Sequence, residues 1–163
     1  MKIRRVKPGD AEQIAEIYNF YVQNTHHTFE TEPVSFEEMQ NCIGEIFENY
    51  PYFVTEENDE ILAFAYAAKY KPRSAYKHSV EVSVYVKNGI EGKGFGTKLY
   101  EKLFQELKQP DVHAIIAGIA LPNEASIKLH ERFGFEKVAH FREVGFKFDK
   151  WIDVGYWELI NNR

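Results

Sequence analysis

A glycine-rich stretch is the clearest sign of chemistry in this sequence. Gly89, Gly92, Gly94 and Gly96 fall close together, with Lys93 among them. Glycine lets a backbone approach a ligand closely, and backbone N–H groups at the start of a helix bind anions. The pattern therefore predicts an anion site with a pyrophosphate as its natural guest, and a plain glycine-rich connection stays open as the alternative.

Two familiar phosphate-binding motifs do not fit this stretch. Residues 92–96 read G-K-G-F-G, which differs from the dinucleotide-binding pattern G-x-G-x-x-G. A P-loop requires Lys and then Ser or Thr after its last glycine, but Phe95 follows Gly94. Neither a dinucleotide fold nor a P-loop is therefore indicated.

A second stretch places Asn123 and His130 around one helix. Asn123 follows an apolar run and is a residue type that caps helices. A lone histidine on a helix is usually either hydrogen-bonded in the core or exposed, so His130 carries no role by itself. The other histidines have no metal-ligand spacing, and no metal is expected; they are His26, His27, His78, His113 and His140.

The elements around these residues alternate between strand and helix. Residues Val80–Val86 alternate valine with other side chains, which is the period of a strand. The loop Lys87–Gly94 then leads into a helix that runs to Lys108. The apolar run Val112–Ala120 predicts a buried strand, and a helix over Asn123–Phe133 ends at Gly134.

The rest of the chain predicts one mixed α/β domain over residues 1–163. Asp10 with Gln13, and Ser35 with Glu38, are spaced like capping boxes at two helix starts. Cys42 is expected in the core of the second of these helices. The remaining predicted strands are Lys2–Val6, Tyr52–Glu57 and Glu60–Ala68 around an Asn58-Asp59 turn, Glu136–Phe146 and Ile152–Leu159.

Composition excludes several classes of protein. With 44% apolar residues, 13 Phe and 10 Tyr in 163 residues, the chain is too apolar for a disordered segment. One cysteine excludes an internal disulfide and a zinc site of several thiolates. The net charge of -5 disfavours nucleic acid as a partner. No apolar run is long enough to cross a membrane, so we expect a cytoplasmic protein.

Taken together, the two stretches resemble the GCN5-related N-acetyltransferases, which use acetyl-coenzyme A, and within them the phosphinothricin acetyltransferases. The resemblance covers nearly all of the chain, from Ile3 to about Leu159. The sequence departs from the family pattern at Glu91, where the family usually has Gln or Arg. The segments that carry it are Phe29–Pro33, Val84–Val86, Gly94–Tyr100, Leu121–Glu124, Leu129–Glu131, Gly145–Lys147 and Trp151–Trp157.

The resemblance implies a splayed, mostly antiparallel sheet with helices on both faces. The pantetheine arm of acetyl-CoA would lie in the splay, and its pyrophosphate would lie on the glycine loop. The family also implies a homodimer. The positions implied to bind acetyl-CoA are Val84, Tyr85, Val86, Gly92, Lys93, Gly94, Phe95, Gly96, Thr97 and Asn123.

The resemblance also implies the two catalytic residues. Glu81 holds the position of the branch's proposed base, and the strand period puts it on one face with Ser83 and Tyr85. A carboxylate with a pKa of about 4.3 is a weak base for an ammonium, so burial or a relay water must assist it. His130 holds the position of the branch's acid, which would protonate the departing thiolate.

The resemblance implies a small amino acid or analogue as acceptor, of the phosphinothricin or methionine sulfoximine kind. The residues predicted to contact it are Phe29, Glu30, Arg73, Tyr76 and Tyr85, with Arg73 suited to an anionic group. Two alternatives stay open. One is an acetyltransferase for a peptide, polyamine or aminoglycoside, and the other is a non-catalytic sensor of acetyl-CoA.

Overall fold

The computed structural model describes residues 1–161, which hold seven strands and four α-helices. The strands are β1 (Lys2–Arg5), β2 (Tyr52–Glu57), β3 (Glu60–Lys69), β4 (Ser79–Val86), β5 (Ala114–Ala120), β6 (Glu136–Lys147) and β7 (Lys150–Ile160). The helices are α1 (Ala11–Asn24), α2 (Phe36–Phe47), α3 (Phe95–Leu107) and α4 (Glu124–Arg132). These residues fall into two compact units, of which the first comprises Met1–Phe20, Val34–Ala68 and Val82–Gln109, and the second Tyr21–Pro33, Lys69–Glu81 and the chain from Pro110.

The first unit contains β1, β2, β3 and the later part of β4, in that order. β1 pairs antiparallel with β2, and β2 pairs antiparallel with β3. Asn58 and Asp59 form the turn between β2 and β3 with φ angles of 51° and 63°, the left-handed conformation that tight hairpins require. Its most buried side chains include Ile14, Val54, Phe64, Leu99 and Leu103.

The second unit contains the start of β4, then β5, β7 and β6. β4 pairs in parallel with β5 through three residue pairs, the last of which joins Glu81 to Ile116. β5 and β6 both pair antiparallel with β7. Ile115, Phe135 and Trp157 are among its most buried residues. A mixed α/β fold with mostly antiparallel strands is thus confirmed.

Two local expectations were wrong. Asp10 does not cap α1 together with Gln13; it closes a short 3-10 turn, accepts the Lys7 N–H at 2.7 Å and pairs with Arg4 at 2.8 Å. The Gln13 side chain instead accepts the N–H of Ile61 at 2.8 Å. Cys42 is exposed, not part of the core. Ser35 and Glu38 do form the predicted capping box.

Within residues 1–161, every helix is too short or too polar to span a bilayer.

Candidate active site

The carboxylate of Glu81 stands half-buried on β4. The neighbouring Val80 and Val82 are 2% and 4% exposed, so alternation along the strand turns Glu81 to the opposite face. Burial disfavours the charged form of a carboxylate and raises the pKa of Glu81 above its ordinary value. The predicted base is therefore a stronger base than an exposed glutamate would be.

Glu81 has two neighbours that the sequence did not reveal. A methyl group added at Gly118 on β5 would lie 3.5 Å from Glu81 Oε1 and 3.2 Å from Cε1 of Tyr156 on β7. Burial raises the pKa of Tyr156, and the charge of Glu81 raises it further. Tyr156 is thus a neutral phenol beside the predicted base. It lies in the segment Trp151–Trp157 that carries the family resemblance, but the sequence assigned it no role.

The segment before β4 supplies two aromatic rings and three cationic side chains, Lys71, Arg73 and Lys77. Tyr70 and Tyr76 pack edge to face with ring centroids 5.6 Å apart. The ammonium of Lys71 lies 5.2 Å from the centre of the Tyr70 ring and 5.7 Å from that of Tyr76. Tyr70 and Lys71 both act electrostatically on Tyr156, the neighbour of Glu81. A contact between Tyr76 and the acceptor stays a prediction. Arg73 is exposed and leads into the short turn Ser74–Tyr76.

The segment that carries Phe29 and Glu30 is held against β6. The buried ammonium of Lys147 donates a hydrogen bond to the Thr28 carbonyl at 2.8 Å. Burial lowers the pKa of Lys147, and the charge of Glu30 opposes that shift. The ring of Phe29 lies directly over Gly145, where any side chain would overlap it. These contacts order Phe29 and Glu30 but do not join them to Glu81.

The glycine loop adopts the conformation that its sequence predicts. Gly92 and Gly94 have φ angles of 76° and 87°, which other residues rarely adopt, and a methyl group at either would meet no protein atom within 4 Å. Gly94 precedes α3, and no side chain caps that helix. The Glu91 carboxylate accepts the Gly89 N–H at 2.8 Å, so it is engaged by its own loop.

The end of β4 lies between Glu81 and the glycine loop in the chain. Val84, Tyr85 and Val86 are half-buried. The Tyr85 ring packs against Tyr18 and Phe64, each with ring centroids 5.3 Å away, within the first unit. A contact between Tyr85 and the acceptor therefore stays a prediction.

Ser126 on helix α4 forms hydrogen bonds with both Asn123 and His130. The Asn123 side chain accepts the Ser126 N–H at 3.2 Å and so caps the helix. His130 is 3% exposed, and its Nδ1 lies 2.7 Å from the Ser126 carbonyl oxygen. Because a carbonyl only accepts, Nδ1 carries the proton of this bond. Burial lowers the pKa of His130, which favours the neutral ring.

Residues 1–161 contain no group of three His, Cys, Asp or Glu side chains arranged to hold a metal ion. The arrangement instead offers a desolvated carboxylate for a proton and glycine-flanked backbone amides for an anion.

Residues 3–155 match the family model of the acetyltransferase (GNAT) domain. The chain belongs to the GNAT acetyltransferase family. It is 43% identical to the phosphinothricin N-acetyltransferase of Streptomyces coelicolor, over 94% of each chain. It is 34% identical to the L-methionine sulfoximine/L-methionine sulfone acetyltransferase of Salmonella typhimurium, over 98% of this chain and 94% of that protein.

A solved structure extends this similarity to three dimensions. The GNAT superfamily phosphinothricin acetyltransferase from Sinorhizobium meliloti, crystallised in complex with acetyl-CoA, superposes with a TM-score of 0.93 at 32% identity. The match covers 98% of this chain and 87% of that one. The family resemblance drawn from the sequence is confirmed, and the chain is an N-acetyltransferase.

Proposed function

We propose that this enzyme transfers the acetyl group of acetyl-CoA to the amine of a small amino acid or analogue, of the phosphinothricin or methionine sulfoximine kind. The named activities of its relatives support this acceptor class. The observation that carries the proposal is Glu81, a half-buried carboxylate with a raised pKa. It lies on the strand that leads into the glycine loop.

The loop fits a pyrophosphate. Gly92 and Gly94 leave open space where side chains would stand, and the uncapped start of α3 presents the backbone N–H groups of its first turn. The exposed Lys93 adds a positive charge. The one acidic side chain of this loop, Glu91, accepts the Gly89 N–H and is thereby bonded to the start of its own loop. We therefore propose that residues 92–97 hold the phosphates.

The pantetheine arm is proposed to follow the end of β4. The parallel ladder between β4 and β5 ends at Glu81 and Ile116. Backbone groups of Val84, Tyr85 and Val86 come next on β4 and would pair with the amides of the arm, as an added strand does. Asn123 would contact the arm from the start of α4. When bound, acetyl-CoA supplies a thioester carbonyl that an amine can attack directly, so no acyl-enzyme is required.

Glu81 is proposed to take the proton that the acceptor ammonium must lose. A general base works best when its pKa approaches the working pH, and burial moves the pKa of Glu81 in that direction. The proton passes to a carboxylate oxygen directly or through one water, which leaves the nitrogen lone pair available for attack. A surface glutamate would do this less effectively.

His130 is proposed to pass a proton to the leaving thiolate through Nε2. After the neutral amine has attacked, Nε2 takes the second proton that the nitrogen must lose and delivers it to the departing sulfur. The Nδ1–H of His130 is engaged by the Ser126 carbonyl, so Nε2 is the nitrogen that can gain and give a proton. Because burial lowers the pKa of His130, the ring donates that proton readily once it holds it. The same bond to Ser126 fixes the orientation of the ring.

The experiment is a screen for thiol release from acetyl-CoA across amino acids and their analogues. Because Cys42 is exposed and would react with a thiol reagent, the screen uses the variant Cys42→Ser. We expect turnover with phosphinothricin or methionine sulfoximine, loss of turnover in Glu81→Gln, and full turnover in Glu16→Gln, which alters an exposed glutamate on α1. No turnover with any amino acid, or an active Glu81→Gln variant, would refute the proposal. Turnover only with polyamines, or acetyl-CoA binding without turnover, would select one of the alternatives.

We further propose that both units form one N-acetyltransferase domain, since a single family model covers residues from each. Cytoplasmic location and a homodimer are also proposed. Light scattering tests the homodimer, which requires a mass twice the 19.1 kDa of one chain.

A further inference from the structure

Three residues of the second unit stand side by side on neighbouring strands. Gly118 on β5 is paired directly with Tyr156 on β7. Glu81 on β4 is paired with Ile116, two residues before Gly118. Because side chains alternate along a strand and paired residues share a face, Glu81, Gly118 and Tyr156 all belong to one face of the sheet.

The backbone does not explain a glycine at this position. Gly118 lacks the positive φ angle that sets Gly89, Gly92, Gly94 and Gly134 apart, so any residue could adopt its conformation. A glycine inside a strand weakens the strand and often marks a place where a ligand comes close. Gly118 is exposed although both neighbours in the chain are buried.

Space does explain the glycine. A methyl group here would lie 3.2 Å from Tyr156 Cε1, which is closer than side chains usually pack, and 3.5 Å from Glu81 Oε1. Because Gly118 is exposed, the missing side chain leaves its backbone open between the carboxylate on one side and the phenol ring on the other. A group that gives a proton to Oε1 of Glu81 must come within about 2.6–3.2 Å of it, and the exposed backbone of Gly118 lies beside that oxygen.

We propose that the bare backbone of Gly118 is the floor of the subsite that receives the acceptor's amine, with Glu81 and Tyr156 as its walls. The residue at position 118 then determines how bulky the acceptor can be around its nitrogen. This inference rests on the proposed function, because it assigns the acceptor side of the same reaction. Tyr156 acts here as a wall, through its ring.

Substitutions at position 118 test the subsite. Thiol release gives kcat and KM for phosphinothricin and methionine sulfoximine, calorimetry gives the Kd for acetyl-CoA, and thermal unfolding reports the fold. We expect kcat/KM for the acceptor to fall in Gly118→Ala and to fall further in Gly118→Val. A methyl group in a pocket changes discrimination by about 10–200-fold. The Kd for acetyl-CoA should not change.

Gly44→Ala is the matched control, since Gly44 lies on α2 and a methyl group there meets nothing within 4 Å. It should keep wild-type kinetics. Tyr156→Ala removes a wall without adding bulk, and we expect it to shift the ratio of kcat/KM values towards N-methylated or otherwise bulkier acceptors. This second variant decides the matter if Gly118→Val does not fold.

The outcomes separate this inference from the proposed function. If the wild-type enzyme acetylates no amino acid, the proposed function fails and the subsite fails with it. If the wild-type enzyme is active and Gly118→Val keeps its kcat/KM for the acceptor, the subsite alone is refuted. An unchanged acceptor ratio in Tyr156→Ala, or an equal loss of acetyl-CoA affinity in Gly118→Val, would likewise refute it.

Discussion

Replacing Gly94 by alanine should lower both the stability of the fold and the affinity for acetyl-CoA, and the two losses can be measured separately. The φ angle of Gly94 is 87°, and an L-residue in a left-handed conformation costs about 1–2 kcal/mol. For a chain of this size the loss corresponds to a fall in Tm of about 2–8 °C. No protein atom lies within 4 Å of the added methyl group, so the penalty comes from the backbone alone.

The Gly94→Ala substitution should also weaken the binding of acetyl-CoA. If the pyrophosphate lies on this turn, the methyl group occupies part of its space and breaks at least one charged hydrogen bond. Such a bond contributes about 1.5–3 kcal/mol, which corresponds to an increase in the Kd for acetyl-CoA of about 10- to 150-fold. Isothermal titration calorimetry of the folded variant with acetyl-CoA measures this Kd.

Gly134→Ala is the matched control for this experiment. Gly134 has a φ angle of 91° after α4, and a methyl group there meets only Leu159 at 3.6 Å, an ordinary contact. It should lower Tm by a similar amount and leave the Kd near the wild-type value. A Gly94→Ala variant with lowered Tm but wild-type affinity would refute the assignment of the phosphates to this loop.

Three further predictions concern other parts of the molecule. As the proposed base, Glu81 must be ionised, and its pKa is raised above 4.5. We therefore expect kcat to fall as the pH drops through a value above 4.5, and a limb at or below 4.5 in the rate profile would contradict this. Arg4→Met should leave Asp10 as an unpaired buried carboxylate and lower the free energy of unfolding in urea by about 3–5 kcal/mol, whereas a change within error would show that the ion pair is dispensable. Cys42 should react with a thiol reagent in the folded enzyme without denaturant, and protection until unfolding would show that it is buried.

Local signals made most of the fold predictable. The alternating valines of Val80–Val86 fix a strand, the Asn58-Asp59 pair fixes a hairpin, and Ser35 with Glu38 starts a helix, because each pattern acts within a few residues. Asp10 has an equally local pattern, but it instead pairs with Arg4, whose guanidinium also binds Glu56 at 2.9 Å. Arg4 and Glu56 are 52 residues apart, so the position of the guanidinium that engages Asp10 depends on the pairing of β1 with β2, which no local pattern reveals.

The candidate site likewise has a part that local sequence predicts and a part that depends on contacts between distant residues. The conformation of the glycine loop could be predicted because it depends on the glycines of the loop itself. Gly118 and Tyr156 could not, because they meet only through the register of β5 on β7, and a shift of one residue would turn both to the other face. The role predicted for Glu81 came from the resemblance, whereas its burial, which raises its pKa, depends on packing.

The short bond between the Gly89 amide and the Glu91 carboxylate shows how a loop can absorb an unfavourable charge. A motif that is judged only by the sign of its side chains would count this position against phosphate. Here the peptide group two residues upstream holds one carboxylate oxygen within the loop, so the acid has a fixed partner of its own. A substitution such as Glu91→Gln would remove the charge and keep an oxygen that can accept the same amide, whereas a side chain at Gly92 or Gly94 would change the backbone itself.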